Sequence, residues 1–432
     1  MKCAVIGGGI AGLSAAVYLS EAGNDVTIFE SAGTPGGRIK PINFPGSDFP
    51  TFDYGQHALA TAYKYTFRLM KKLGSYDRLK IPNRLDITFI KDGERAKFTT
   101  GYLPYPFDLL LGILGFKFIS GRERRSLIKF LLFIKNSDES FYTSTDLLTF
   151  FSKHNQSDNL ITTFWDKVIL SIFNTPTIDV DPQLFVSTMR KLFFDKKDNF
   201  IVFPPNKPLS ELLILPALNF ITSHGGDVHL SERVIDLIIN ENNITKIVTD
   251  KDEYSDFDVV ILALPPDKAA KLFPDSELKH NLECFRFSPI LTGYVQVKKP
   301  FLKEKMIALV NSKIDWIFNF GNYFSVVASA NKEISDLDKK EQKNIIFSEL
   351  NKFFPVFSIE NVLDLKVINE KKSTIMSDNL INRLRDKIYS PYTNLIFAGD
   401  WTNTDLPATI ESAVLSGKNA AWRVENSLKL WT

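Results

Sequence analysis

The chain has 432 residues, 44% hydrophobic and 24% charged, which excludes a disordered or collagenous chain and calls for a packed core. Its 52 Lys and Arg nearly balance 50 Asp and Glu, leaving a formal charge of +2, too little to wrap nucleic acid through phosphate contacts, so nucleic acid is not an expected partner. At a typical domain size of roughly 150 residues the length allows two to three units, with two domains woven from discontinuous segments as the expected arrangement.

At the amino terminus, Met1-Lys2 and the apolar residues after it imitate a secretory signal, but Gly7, Gly8, Gly9 and Gly12 would break its apolar helix and no clean cleavage site follows. No stretch reaches the about 18 uninterrupted apolar residues of a membrane-spanning helix. Cys3 and Cys284 are the only cysteines and form no C-x-x-C pair, so neither a disulfide framework nor a metal site of the usual spacing is expected, and a reducing, cytoplasmic setting fits best. The 36 Phe, against 13 Tyr and 5 Trp, admit an oily pocket or mere compositional drift; drift that fills the core is the preferred reading.

Cys3 to Ile6 reads as a buried strand, Gly7 to Gly12 as a turn, and Leu13 to Ala22 as a helix rich in Ala and Leu. The turn has the spacing G-x-G-x-x-G: Gly7 for the tight bend, Gly9 for close approach of a pyrophosphate, Gly12 for helix packing on strand. Ile10 and Ala11 then lie where the N–H groups at the helix start face the phosphates. A second strand, Asp25 to Phe29, ends at Glu30, whose carboxylate can accept from both ribose hydroxyls and disfavours a 2′-phosphate. NAD or FAD is left. A ligand-free glycine loop would not require strand, turn, helix, strand and terminal acid in this order.

Gly36-Gly37-Arg38 follows after a short loop, and resembles the second glycine pair of flavoproteins of the amine-oxidase and carotenoid-desaturase type. The resemblance selects FAD and implies that Arg38 lies near the flavin and its phosphates; a solvated arginine in a surface turn is the plainer alternative. Gly226 to Leu230 and Arg233 to Ile239 read as strands paired with each other, and Asp256 to Leu264 as a buried strand, all rejoining the nucleotide-binding sheet. Val234 resembles the position whose backbone contacts adenine in these flavoproteins. Near the carboxyl end, Asn394 to Ala398 reads as a strand leading into Gly399-Asp400-Trp401-Thr402. A helix follows from Pro407-Ala408-Thr409-Ile410-Glu411 through Ala421, with Pro407 in its first turn. In the same flavoprotein group the Gly399-Asp400 pair would hold the ribityl chain and phosphate. The helix start at Ala408, Thr409 and Ile410 would lie against the pyrimidine edge of the flavin. Asp400 as an ordinary helix cap is the alternative.

The expected fold is α/β: a Rossmann-like FAD-binding domain of glutathione-reductase type with a parallel sheet, interleaved with a mixed α+β substrate domain. Residues 1–75, 221–273 and 388–432 are assigned to the first, and 76–220 with 274–387 to the second. Four further segments narrow the resemblance: Phe52-Asp53-Tyr54-Gly55-Gln56-His57, Phe173-Asn174-Thr175-Pro176, Pro208-Leu209-Ser210 with Pro216-Ala217, and Leu406-Pro407-Ala408-Thr409-Ile410-Glu411. Together, and in order along nearly the whole chain, they resemble the hydroxysqualene dehydroxylase family, squalene-associated relatives of the phytoene desaturases. Asp405 and Ser412 stand where that family would be expected to carry glycine.

The resemblance implies reductive dehydroxylation of a lipophilic triterpenoid, hydroxysqualene to squalene, with hydride from reduced flavin and loss of water. His57, with a free pKa of about 6.5, is the candidate general acid, although a histidine after a glycine is commonly structural. Gly55 and Gln56 belong to the same flavin-facing segment, and Gln56 is a candidate to fix the alcohol or a flavin carbonyl. No cysteine follows Cys284, so FAD is expected to be bound non-covalently. No second glycine turn for a pyridine nucleotide is found; the electron donor stays open among a quinone, a reduced carrier and NADPH. A phytoene-type desaturase, a flavin amine oxidase and a lipid-carrying flavoprotein without turnover are the competing readings.

Tyr105 to Ile119, with Asp108 and Lys117 its only charges, precedes the basic Gly121-Arg122-Glu123-Arg124-Arg125 and the amphipathic run Ser126 to Lys135. As a helix this run would place Arg122, Arg125 and Lys129 on one face. Residues 105–135 are therefore a candidate dock on the cytoplasmic membrane surface, with a core helix followed by a solvated basic turn as the equal alternative.

Overall fold

A computed structural model describes residues 1–43, 51–101, 103–136, 146–194 and 200–429, the last three as backbone only; the parts of the expected domains at 44–50, 102, 137–145, 195–199 and 430–432 lie outside the described residues. The chain opens with β1 (Lys2–Ile6), α1 (Ile10–Glu21) and β2 (Asp25–Glu30), and α2 (Lys64–Lys72) follows. Then come β3 (Asp86–Lys91), β4 (Glu94–Thr99), α3 (Phe107–Gly115), α4 (Gly121–Asn136) and α5 (Leu215–Ser223). The middle of the chain supplies β5 (Asp227–Leu230), β6 (Val234–Asn240), β7 (Asn243–Thr249), β8 (Glu253–Ser255), β9 (Val259–Leu262) and β10 (Phe287–Val297). The last third adds β11 (Met306–Leu309), β12 (Trp316–Asn319), β13 (Tyr323–Ser329), β14 (Val362–Ile375), β15 (Leu395–Phe397) and α6 (Ile410–Lys429).

The first sheet has five parallel strands in the order β15-β9-β1-β2-β5. Residues 3–6 of β1 are all buried, as an inner parallel strand covered on both faces must be. Cys3 and Val5 face a cluster with α1, α5 and α6, whereas Ala4 and Ile6 face the antiparallel sheet β6-β7-β8 and the segment 269–285. Three layers result. Helix α1 starts at Ile10 rather than Leu13, directly after Gly9. Gly226–Leu230 and Arg233–Ile239 do not pair with each other: β5 continues the parallel sheet beside β2, while β6 pairs antiparallel with β7. A left-handed Ser231, φ +54°, redirects the chain between them.

The second sheet has seven strands, β14-β10-β13-β12-β11-β3-β4, antiparallel except where β11 runs parallel to β3. One face packs on the helix Lys339–Phe353. The other carries Trp316, Phe318 and Val327 into the largest apolar cluster, with α3, α4 and the helices around Trp165 and Phe185. Much of the phenylalanine excess is packing: Phe116, Phe130, Phe151, Phe173 and Phe185 are buried there. The expected boundary at Phe220 falls inside α5, and Leu209 to Ile221 pack against α1. Residues 278–285, 375 and 381 likewise pack under the parallel sheet.

Helices α1 and α6 touch backbone to backbone. Ser14 Oγ donates to Val414 O at 2.9 Å, and a Cβ on Gly417 would lie 2.2 Å from Ala11 O. Gly417→Val should therefore force the helices apart and cost roughly 2–4 kcal/mol, read as a lowered urea midpoint against the parent; an unchanged midpoint would show that the two helices can separate freely.

Candidate functional site

Gly7 bends the chain with φ +109°, and a Cβ there would meet Ala263 O at 2.8 Å. Gly12 lies tighter still, since a Cβ would sit 2.0 Å from Gly7 O. Around the Cβ position of Gly9 nothing lies within 4 Å. The outer glycines are thus fixed by protein packing and the middle one faces open space at the start of α1, which fits a pyrophosphate received by the N–H groups of Ile10 and Ala11. Glu30 closes this side: Oε2 accepts from Gly8 N and Oε1 from Ala32 N, both at 2.8 Å, leaving lone pairs for sugar hydroxyls. Glu232 N donates to Glu30 O at 2.9 Å, so Val234, buried at the start of β6, stands two residues from that junction.

The second glycine pair docks directly on the first. Gly36 N donates to Gly8 O at 2.9 Å with φ +121°, and a Cβ on Gly37 would be 3.5 Å from Gly9 Cα. Arg38 then reaches the other end of the chain. Its Nη2 meets Asp400 Oδ1 and its Nη1 meets Asp400 Oδ2, each at 2.8 Å, and Nη1 also donates to Ser373 O at 2.7 Å. Asp400 is buried, whereas Arg38 keeps 42% of its side-chain surface exposed, so the pair runs from the interior to accessible surface. Both Asp400 oxygens face Arg38 and are engaged by its guanidinium. Asp400 is not a helix cap.

The loop after β15 is held by groups the sequence did not single out. Arg385 is buried and donates to Thr402 O at 2.8 Å and Asp400 O at 3.3 Å; burial pushes its guanidinium down to about 10, against the pull of Asp400. Trp401 Nε1 donates to Leu264 O at 2.9 Å, and a Cβ on Gly399 would collide with that indole at 2.4 Å. Helix α6 begins at Ile410, three residues past Pro407. Its cap is Thr409, whose Oγ1 accepts from Ser412 N at 3.3 Å. Ala408 is buried and Ile410 half-buried. Glu411 accepts from Tyr65 N and Thr66 N at 2.8 and 2.9 Å, fixing the start of α2. The two departures from the glycine pattern sit in different local settings. Asp405 has φ +54° and is exposed, with Lys191 Nζ bonded to its carbonyl at 2.7 Å. Ser412 is buried with its hydroxyl 2.7 Å from Thr404 Oγ1.

Gly55, Gln56 and His57 lie between two short ladders, Pro41–Ile42 with Phe52–Asp53 and Leu59–Ala60 with Val202–Phe203. Gly55 has φ +100°. Gln56 is partly engaged already: Ser325 Oγ donates to its Oε1 and its Nε2 donates to His57 O, both at 2.8 Å. This anchors the loop on β13 and leaves one amide N–H. His57 presents a buried Nε2 with no hydrogen-bond partner. Beside it Asp53 is buried and accepts from Leu209 N at 2.6 Å and Ser210 N at 3.0 Å, which is why the segments Phe52–His57 and Pro208–Ser210 meet. Burial pushes the His57 pKa down, opposed by Asp53 and by the Arg38 backbone. Burial pushes the Asp53 pKa up, opposed by His57 and the two backbone donors. Asp53, Arg385 and Ser325 are the residues missed; for Asp53 the signal was its place in the quoted segment.

The cradle of Gly7, Gly9 and Gly12, the fixed acid Glu30 and the exposed Arg38 fit a dinucleotide bearing a flavin. Asp405→Gly should raise stability by up to ~1 kcal/mol by relieving a left-handed backbone, measured as a higher Tm of the flavin-loaded protein; a lower Tm would show that the aspartate side chain contributes more than the strain it carries.

Comparison with known proteins finds relatives along nearly the whole chain. The chain is 26% identical over 430 residues to a hydroxysqualene dehydroxylase of Zymomonas mobilis, covering 96% of this chain and 97% of that protein. It is 23% identical over 463 residues to a 15-cis-phytoene desaturase of Synechococcus elongatus, covering 98% and 95%. An oxidoreductase structure from Methanosarcina mazei superposes with a TM-score of 0.77 at 16% identity, over 97% of this chain and 99% of that one, and shows the same fold. The family model for flavin containing amine oxidoreductase matches residues 10–425. The chain belongs to that family and is an FAD-dependent oxidoreductase.

Proposed function

We propose that this oxidoreductase removes the hydroxyl of hydroxysqualene reductively to give squalene, a precursor of triterpenes, hopanoids or carotenoids. The observation that carries the reading is the end-to-end similarity to the hydroxysqualene dehydroxylase of Zymomonas mobilis, joined to the character of the reaction side. There the loop of Gln56 and His57 rests on a sheet face that continues into an apolar cluster of Trp316, Phe318 and Val327, and His57 Nε2 is an unpartnered polar atom on that loop. A hydrocarbon with a single hydroxyl matches such surroundings.

Bound reduced FAD would supply hydride. The overall change is balanced: the alcohol, one proton and one hydride become the C–H bond of the product and water. This chain's residues would hold the cofactor between Gly7–Gly12, Glu30, Gly36–Arg38 and the Gly399–Ile410 loop, present an apolar sheet face beside the Gln56 loop, and handle the proton. Cys3 is buried and Cys284 exposed, which supports the reading that FAD is held by non-covalent contacts. Burial disfavours charge on both His57 and Asp53, while the charge of each favours the ionised form of the other. Protonated His57 passes a proton from Nε2 to the alcohol oxygen. Asp53, held by Leu209 N and Ser210 N, stabilises the imidazolium form before transfer.

The reading is tested by anaerobic incubation of the photoreduced protein with hydroxysqualene and gas chromatography of the lipid. Squalene is expected; dehydrogenated products from phytoene and oxidised flavin, with no squalene, would favour the phytoene-desaturase reading that the second relative supports. For the proton step, activity should rise as pH falls through a pKa below about 6.5, because burial lowers His57. His57→Gln should lose that inflection and about 10²–10⁴ in kcat; an inflection that survives the substitution assigns the proton elsewhere.

A further inference from the structure

The segment Leu103–Lys135 presents side chains that the cofactor site does not use. On α3, Phe107, Leu111 and Leu114 are 59%, 44% and 49% exposed, and Leu103 before the helix is 47% exposed. Their spacing of four and three residues puts the helical ones on a single stripe. The opposite face, Asp108, Leu109, Gly112 and Ile113, is buried. Asp108 is the only charge-bearing residue of α3, and it is turned wholly inward, where neither carboxylate oxygen has a hydrogen-bond partner and burial raises its pKa. The stripe therefore carries no charge of its own.

Helix α4 adds the complementary feature. Arg122, Arg125, Lys129 and Leu132 are exposed, again on one helical face, and Lys117 in the preceding turn is exposed too. The acid within this basic cluster is engaged internally: Glu123 accepts from Ser120 N at 2.6 Å and Asn159 Nδ2 at 3.1 Å. Arg124 Nη2 donates to Phe116 O at 2.9 Å and ties α4 to the end of α3. Apolar side chains beside cations whose acids are withdrawn are complementary to the hydrocarbon boundary and headgroups of an anionic bilayer.

We infer that the exposed stripe of α3, with the basic face of α4, seats the protein on an anionic membrane surface without crossing it. Among the described residues no helix is long and apolar enough to cross a membrane. The inner face of α3 gives Leu109 and Ile113 to the same apolar cluster that holds Trp316 and Val327 beneath the Gln56 loop. A lipid-dissolved substrate thus meets apolar side chains on both faces of a single helix. The docking stands independently of which lipid is transformed.

The experiment is flotation of the flavin-loaded protein with vesicles of phosphatidylcholine, with and without phosphatidylglycerol. The parent should float with the anionic vesicles, less so at high salt. Phe107→Ser/Leu111→Ser/Leu114→Ser should lower the bound fraction at least ~10-fold, and Arg122→Gln/Arg125→Gln/Lys129→Gln should remove the preference for anionic lipid. Retained flavin absorbance shows that a variant is folded; if the triple variant loses flavin, Phe107→Ser alone and the basic variant decide. A parent that does not float, or an apolar variant that floats as well as the parent, overturns the inference. So does a parent that sediments as a dimer and binds no vesicle while the apolar variant is monomeric, since the stripe would then cover a second copy of the chain. Because flotation does not depend on turnover, this outcome is separable from failure of the proposed reaction.

Discussion

The first turn of α1 is the constraint on which the structure depends, because two contacts with it leave no room for a side chain and a third segment packs against it. Gly12 rides on Gly7 O, Gly417 of α6 lies against Ala11 O, and Gly37 stands over Gly9. Each contact removes a Cβ at the point of closest approach and draws another segment toward the same helix start. The result is an anion-receiving helix terminus ringed by the beginning and the end of the sequence. Of Gly7, Gly9 and Gly12, Gly9 alone has open space at its Cβ position.

Charge is then arranged around that turn by pairing rather than by exposure. Arg38 and Asp400, 362 residues apart, meet through two N–H···O contacts, and Arg385 grips the backbone that carries Asp400. Buried acids elsewhere in the site are placed on helix starts: Asp53 on the N–H groups of Leu209 and Ser210, Glu411 on those of Tyr65 and Thr66. A carboxylate that accepts such donors can be buried at modest cost. These same bonds join segments far apart in sequence, so electrostatic satisfaction and long-range assembly are one arrangement here.

The reaction side contrasts with this. The loop of Gln56 and His57 is pinned to β13 by Ser325, and beyond it the sheet face is apolar through Trp316, Phe318 and Val327. His57 meets that region with an unpartnered nitrogen whose charge is disfavoured by burial and favoured by Asp53. Burial and a neighbouring acid thus act on His57 in opposite directions.

What the sequence determined alone is the local framework: the strand, glycine turn, helix and terminal acid of residues 2–30, the Gly36-Gly37-Arg38 turn, and the strand leading into Gly399-Asp400. These follow from short-range sterics, where a glycine at fixed spacing or an acid at a strand end has few conformations open to it. Tertiary structure decided what contacts between distant segments control. It paired Arg38 with Asp400, set Asp53 on Leu209 and Ser210, and separated β5 from β6, which sequence reading had joined. It moved the start of α6 to a threonine cap rather than to Pro407, and placed Asp405 in a left-handed backbone that glycine would adopt more readily. Partner choice among buried charged groups depends on which surfaces are brought together, and hydrophobic periodicity along one segment carries no information about its distant partner.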